Sequence, residues 1–230
     1  MLSNIYSEQR LKEKISSVYS RIVKRVIDFV LACVLFVLCL PISLIVSLVI
    51  ILDDGFPVIY SASRVGLMGK EFKMYKFRSM VKNADKIGSV ITANHDPRIT
   101  KTGAILRKTK LDEIPQLVNI IKGDMSFVGP RPETMKYASQ FTGLDKYILQ
   151  VRPGITDYSS LKFINMEQVV GDFDAEGVFK TEILKRKNAF RLKYVSDMSF
   201  ITDCRIFVGT IVRILRSFVK EVHSTTNEKS

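Results

Sequence analysis

Residues 29–52, FVLACVLFVLCLPISLIVSLVIIL, run for 24 positions without a formal charge. As a straight helix the stretch would be about 36 Å long, enough to cross a ~30 Å hydrocarbon core. It is too long for a cleaved signal peptide and no small-residue cleavage site follows it. A buried helix of a water-soluble domain is rarely apolar on every side, so the segment belongs in a membrane. Pro41 sits at its centre, where it removes one helical hydrogen bond and frees the carbonyl of Val37. Ser43 and Ser47 are near enough in sequence to help re-satisfy the backbone.

Charge decides how such a helix would lie. Arg10, Lys12, Lys14, Arg21, Lys24 and Arg25 precede the run, whereas the twenty residues after it hold only Arg64 and Lys70. The positive-inside rule keeps the N-terminal flank cytoplasmic, and a straight span would then export the remainder. A helix bent at Pro41 and returned to the leaflet it entered keeps both flanks in the cytoplasm. This re-entrant hairpin is the expectation and the straight span its alternative. Asp28 falls beside Lys24 and Arg25 at the interface, where it could pair with one of them.

The formal net charge of +12 favours anionic partners: acidic headgroups, phosphorylated substrates or nucleic acid. Nucleic acid is excluded as a reading, because neither zinc-finger spacing nor an aromatic-rich basic motif occurs. Cys33, Cys39 and Cys204 suggest neither a disulfide framework nor a zinc site. With only His95 and His223 available, carboxylates are the natural carriers of any chemistry.

Beyond the apolar run, PVIYSASRVG and EFKMYKFRSM alternate as two short strands around a glycine-bearing turn. Residues 81–104 read as an irregular loop over a site. GLMGK has the wrong spacing for a Walker phosphate loop. In RKTKLDEIPQLVNIIKG, the residues Ile114, Leu117, Val118 and Ile121 mark one face of a short helix that Gly123 stops. Asp112 and Glu113 then fall at its N-terminus, where the dipole favours an ionised carboxylate able to act as nucleophile or magnesium ligand. An ordinary capping pair has the same appearance. Arg131 stands between Pro130 and Pro132, and Arg152 precedes Pro153. Flanking prolines restrict where a guanidinium points, and Arg107, Lys108, Arg131 and Arg152 could ring a pyrophosphate.

Four stretches carry a family likeness: KRVIDFVLA with its downstream proline, RVGLMGKEFKMYKFRSM, LRKTKLDEIPQLVNIIKGDMSFVGPRPE and VRPGITD. In this order they resemble the bacterial sugar transferases, the monotopic phosphoglycosyl transferases that begin capsule, exopolysaccharide and O-antigen assembly. The resemblance covers about residues 21–217. It implies a membrane-associated α/β protein, with a re-entrant helix broken at Pro41, a small mixed α/β catalytic domain and amphipathic interfacial helices. It implies transfer of a sugar-1-phosphate from a UDP-sugar to undecaprenyl phosphate with release of UMP. Asp112 would be the nucleophile, forming a covalent phosphosugar intermediate. Glu113 would help it hold Mg²⁺, and Arg107 with Lys76, Arg78, Arg64 and Arg152 would bind substrate phosphate. Arg131 would shape the nucleotide-sugar pocket. The implied location is the cytoplasmic face of the bacterial inner membrane.

Many members carry a serine before the bend proline, where this chain has Leu40. Many also continue after RPGIT with a Gly-Trp motif, where this chain has DYSSLKFINMEQ. The donor sugar is therefore not carried over, nor is the oligomeric state, a homodimer included. The expected organisation is a basic amphipathic segment at 1–25, the re-entrant hairpin at 26–52, the catalytic domain at 53–220 and a polar tail at 221–230. The chain reads as the minimal catalytic core. Within 199–220, Arg205, Arg213, Arg216 and Lys220 share one helical face, as on anionic lipid or as the solvent face of a domain helix. Two other functions compete: a membrane-associated glycosyltransferase releasing UDP, and a non-enzymatic lipid-binding scaffold.

Overall fold

Amphipathic and apolar segments in this chain find one another across long sequence distances. The computed structural model describes residues 6–84, 96–158 and 184–227, with side chains past residue 213 described only at 216. His95 and most of DYSSLKFINMEQ lie outside the described residues.

Helix α1 (Glu8–Ser16) starts where the Ser7 hydroxyl accepts the Arg10 N–H. A π-helical turn, Tyr19–Val23, leads directly into α2 (Lys24–Asp54). Pro41 lies inside α2, and the helix continues past it to Asp54. The Ser47 hydroxyl donates to the Ser43 carbonyl at 2.6 Å. Gly55, at φ +70, terminates the helix.

The buried residues of α2 are Lys24, Asp28, Ala32, Val46 and Ile50. Asp28 and Val46 are eighteen residues apart, five helical turns, so the buried stripe keeps one phase on both sides of Pro41. Ala32 joins a core with Leu117, Ile120, Phe127 and Ile206, while Val46 and Ile50 join Phe77 and Leu106. Ile114 packs against both clusters. The remaining faces of α2 expose Phe29, Val30, Val37, Leu38, Leu44, Ile45 and Leu52, among others.

Strands β1 (Ile59–Val65) and β2 (Glu71–Phe77) form the expected antiparallel hairpin, in register from Ile59 opposite Phe77 to Val65 opposite Glu71. The expected 81–104 loop ends sooner, because Thr100 caps α3 (Lys101–Thr109) by accepting the Gly103 N–H at 2.9 Å. Helix α4 (Gln116–Lys122) buries Gln116, Leu117, Asn119 and Ile120. The expected face is thus rotated, with Ile114, Val118 and Ile121 only partly covered. The cause is Asn119, whose side chain imitates a peptide: Oδ1 accepts the Tyr75 N–H at 3.0 Å and Nδ2 donates to the Lys73 carbonyl at 2.7 Å. That pairing docks α4 on the edge of β2.

A second, parallel pair joins β3 (Ser126–Val128) to β4 (Gly154–Thr156). It is preceded by α4 and separated by α5 (Met135–Ala138) and a 3₁₀ run, Gly143–Gln150. Gly129 and Gly154 touch backbone to backbone; a Cβ on Gly154 would lie 2.1 Å from the Gly129 nitrogen. Gly154→Ala is therefore expected to cost about 3 kcal/mol by forcing the strands apart, read as a lowered midpoint in a denaturant titration followed by circular dichroism.

Helices α6 (Leu184–Asp197) and α7 (Phe200–Asn227) close the fold, with α7 running on through most of the expected polar tail. Asp203 of α7 takes the Lys24 ammonium at 2.5 Å, the Tyr19 hydroxyl at 2.6 Å and the Tyr194 hydroxyl at 2.8 Å. Asp28 consequently does not pair with its neighbours in sequence; its Oδ1 accepts the Phe127 N–H at 3.2 Å. Buried this way, Lys24 and Asp28 fasten the start of the apolar helix to the domain.

Candidate active site

Leu111–Glu113 forms a 3₁₀ turn ahead of α4, so Asp112 and Glu113 precede the helix instead of occupying its first turn. The turn opens at Lys110, a non-glycine residue at φ +59, a left-handed conformation that costs roughly 1 kcal/mol and swings the following acids inward. Lys76 approaches from β2: its ammonium lies 3.3 Å from Asp112 Oδ2 and 2.9 Å from Glu113 Oε1. Arg131 completes the cluster by donating from Nη2 to Glu113 Oε1. Its Nη1 donates to the Ile155 carbonyl at 2.6 Å and its backbone N–H to Asp157 Oδ2 at 3.4 Å.

Parallel pairing explains that convergence. Arg131 follows the C-terminal end of β3 and Asp157 follows that of β4, so the two chain ends deliver a cation and a carboxylate side by side. Asp157 was absent from the sequence-derived site, although its place just after VRPGIT is the signal that finds it.

The two adjacent acids are not equivalent. Burial alone would push the Glu113 carboxyl up, but Arg131 and Lys76 more than offset it and hold the group well below the usual carboxylate range. Glu113 in turn raises Arg131 above the ordinary arginine value. Asp112 is 4% exposed and its Oδ1 has no hydrogen-bond partner among the described residues. A buried acceptor left unpaired costs about 1–3 kcal/mol, a cost tolerated where an oxygen is kept for a reacting group. Asp112 thus offers an available oxygen, while both of Glu113's cations converge on Oε1.

Among the described residues no group of three or more His, Cys, Asp and Glu forms a ready-made metal cage. Magnesium does not need one, since it is commonly held by one or two carboxylates, water and substrate phosphate. Adjacent carboxylates, one with an unpaired buried oxygen, fit that ion.

The other arginines grouped with this site have their hydrogen-bond partners outside the cluster of Asp112, Glu113, Lys76 and Arg131. Arg78 donates to the Asp54 and Gly55 carbonyls at 2.9 and 2.7 Å, holding the C-terminal end of α2. Arg152 Nε donates to the Gly123 carbonyl at 3.1 Å, and Arg25 caps the same end of α4 through the Ile120 and Ile121 carbonyls. Arg107 Nε donates to Ser79 Oγ at 3.1 Å. Arg64 donates to the Ser63 carbonyl at 2.8 Å and lies in the fields of Glu133 and Arg131.

A second charged group adjoins Arg131. Glu133 accepts from the buried Arg191 at 2.6 Å, and Lys187 lies in the field of both. Burial pushes the Lys187 ammonium down to about 8. Its folded value lies below the ordinary lysine value near 10.4, so the folded state favours the neutral amine and stability rises with pH from about 8 to 10. Lys187→Met is expected to abolish that rise, checked by denaturant titrations of both proteins at pH 7.5, 9 and 10.

Comparison with known proteins agrees with this geometry. The profile of the family described as bacterial sugar transferase matches residues 19–217. Galactosyl transferase CpsE of Streptococcus agalactiae is 37% identical over 176 residues, covering 72% of this chain and 36% of that protein. A putative undecaprenyl-phosphate N-acetylgalactosaminyl 1-phosphate transferase of Bacillus subtilis is 50% identical over 92 residues, 40% of this chain and 51% of its own length. The sugar transferase EpsL of Bacillus subtilis, itself uncharacterized, is 34% identical over 176 residues, 76% of this chain and 79% of its own. The chain thus spans about a third to a half of the first two relatives and most of the third. With four-fifths or more of its residues inside the family match, and Asp112, Glu113 and Arg131 gathered at one site, this chain belongs to the bacterial sugar transferase family.

Proposed function

We propose that the chain transfers a sugar-1-phosphate from a UDP-sugar to undecaprenyl phosphate, releasing UMP, as a first membrane step in capsule, exopolysaccharide, O-antigen or glycoprotein glycan assembly. The observation that carries this reading is the buried Asp112 carboxylate, with one oxygen unpaired beside a doubly neutralised Glu113. Asp112 Oδ1 attacks the phosphorus that bears the sugar. The bond from that phosphorus to the bridging oxygen breaks, its electrons leave with UMP, and an aspartyl phosphosugar forms. The phosphate oxygen of the lipid acceptor then attacks the same phosphorus, the Asp112–phosphorus bond breaks, and the carboxylate is restored.

Negative charge gathers on the transferring phosphoryl group in both displacements. Lys76 and Arg131 stand ready to neutralise it without rearranging solvent. Asp112 and Glu113 would hold Mg²⁺, which when bound supplies further Lewis-acid stabilisation of phosphate oxygens. Taking the two substrates in turn lets a water-soluble donor and a lipid acceptor share one site.

The re-entrant arrangement is part of the same proposal. Arg25 and Asp28 tie the beginning of α2 to α4 and β3, and Arg78 ties its end to β2. A helix held along one face by a single domain, before and after Pro41, leaves both flanks on that domain's side. Its other faces and the exposed Ile201, Val208 and Ile211 of α7 then meet lipid, with the basic residues of α7 at anionic headgroups. The catalytic domain would rest on the cytoplasmic face.

The reading is tested by incubating detergent-solubilised protein with Mg²⁺, undecaprenyl phosphate and a panel of UDP-sugars. Release of UMP from one donor is the expected result. Release of UDP would mean glycosyl transfer, and Asp112 would lose its role. Lipid binding with no release from any donor would favour the scaffold.

A further inference from the structure

Two buried residues in the last third of α2, Val46 and Ile50, lie four apart and so present one face. They share a small apolar cluster with Phe77 and Leu106, and Leu111 and Ile114 pack against it. Its members surround the proposed nucleophile along the chain. Phe77 adjoins Lys76 on β2, Leu106 lies on α3 one turn before Lys110, and Leu111 and Ile114 bracket Asp112 and Glu113.

Polar ties hold the same segments to the end of α2. Besides donating to the Asp54 and Gly55 carbonyls, Arg78 pairs with Asp54 Oδ2 at 3.0 Å and so fixes the end of β2. Asp53 Oδ2 accepts the Thr102 N–H at 3.2 Å, in the first turn of α3. The early part of α2 is attached elsewhere, through Lys24 to Asp203, Asp28 to Phe127, and Ala32 within the main core. Ile114 packs against both clusters, so the site lies on a seam between them. Arg131 arrives from the main-core side, after β3, whereas Asp112 and Lys76 arrive on segments seated against the end of α2.

We infer that residues 46–54 of α2 are the platform that registers Asp112 against Arg131, with Ile50 as a positioning residue. Ile50 acts through the cluster it shares with Leu111 and Ile114: the volume it fills sets where the turn between them sits. Displacing a reacting group by about 1 Å costs on the order of 10²-fold in rate, so the packing of one apolar side chain reaches the chemistry. The inference rests on the proposed reaction and names what aligns its two halves.

Ile50→Ala, assayed as the full chain in detergent, is expected to lower kcat about 10²-fold and leave KM for the UDP-sugar within about twofold of wild type, because every charged group of the site is retained. Ile50→Val, which refills most of the space, is expected to bring kcat back to within about threefold. Leu48→Ala, at a position 57% exposed, is expected to match wild type. Hydrogen exchange reads the placement without turnover. The Glu113 and Ile114 amides, bonded to the Lys110 and Leu111 carbonyls, are expected to exchange about tenfold faster in Ile50→Ala. The Ser126 and Gly129 amides of the parallel pair, each bonded at 2.9 Å, are expected to keep their wild-type rates. Wild-type kcat in Ile50→Ala would overturn the inference, as would equal loosening of Ser126 and Gly129, which would mark a residue of general stability. Failure of Ile50→Val to recover turnover would overturn it as well. If Ile50→Ala does not fold, Asp53→Ala carries the test at an exposed position, with kcat expected about fivefold lower and the same exchange pattern; wild-type turnover and exchange there would overturn the inference. No UMP from wild type would defeat the proposed reaction, and the exchange pattern would still decide the role of Ile50.

Discussion

Asp112→Asn is expected to reduce UMP release by at least about 10³-fold while leaving the protein folded and bound to anionic vesicles. The magnitude follows from removal of a covalent nucleophile, after which only positioning and charge stabilisation remain. Asparagine matches the shape of the aspartate, and Lys76 retains Glu113 as a partner at 2.9 Å, so little stability is at stake. Wild-type protein quenched with donor alone is expected to carry a sugar-phosphate mass on the peptide containing Asp112, and the variant is not. Wild-type turnover by Asp112→Asn would overturn the assignment. Unchanged vesicle binding with lost turnover would separate the enzyme from a scaffold.

Arg131→Met is expected to be the more damaging change to the fold. Removing Arg131, whose side chain is 37% exposed, leaves the buried Glu113 charge to Lys76, at about 1–3 kcal/mol once solvent screening of the guanidinium is allowed for. Its pH dependence has a definite sign. The folded-state value of Glu113 lies below the unfolded value near 4.3, so its contribution is fully present above that pH and is lost as pH falls through the folded value. Without Arg131 the carboxyl rises, and the difference between variant and wild type shrinks as pH falls below about 4. Denaturant titrations across pH 3–7 read this directly, and Glu113→Gln in the Arg131→Met background is expected to restore part of the loss. A constant difference across that range would mean that Arg131 stabilises by packing alone.

The hairpin of β1 and β2, the apolar helix and the run from Arg107 to Arg131 were legible in sequence because their information is local. Alternation marks the strands, length marks the helix, and proline spacing marks the turn that carries Arg131. Arg78 and Arg152 show where local reading ends. Each is a basic residue in a motif, as a phosphate ligand would be, yet each directs donors to backbone carbonyls at the end of a helix. Residue type reports that a guanidinium needs acceptors and does not report which ones the fold provides. The rotation of α4 has the same origin, because an Asn at position 119 reads as polar until the edge of β2 is beside it. Asp157 was within reach, since residues that follow adjacent parallel strands meet.

The bond between Lys24 and Asp203 joins residues 179 positions apart, and Asp28 waits 99 positions for Phe127. At about 5–20 residues per second, a ribosome makes Asp203 roughly ten to forty seconds after Lys24. Through that interval the apolar helix has emerged while the carboxylate that secures its base has not been made. The helix is thus free to enter lipid before its anchor is made, an order in which the domain would assemble around a helix already in place. In that order, the bilayer would hold the helix through the interval before Asp203 can.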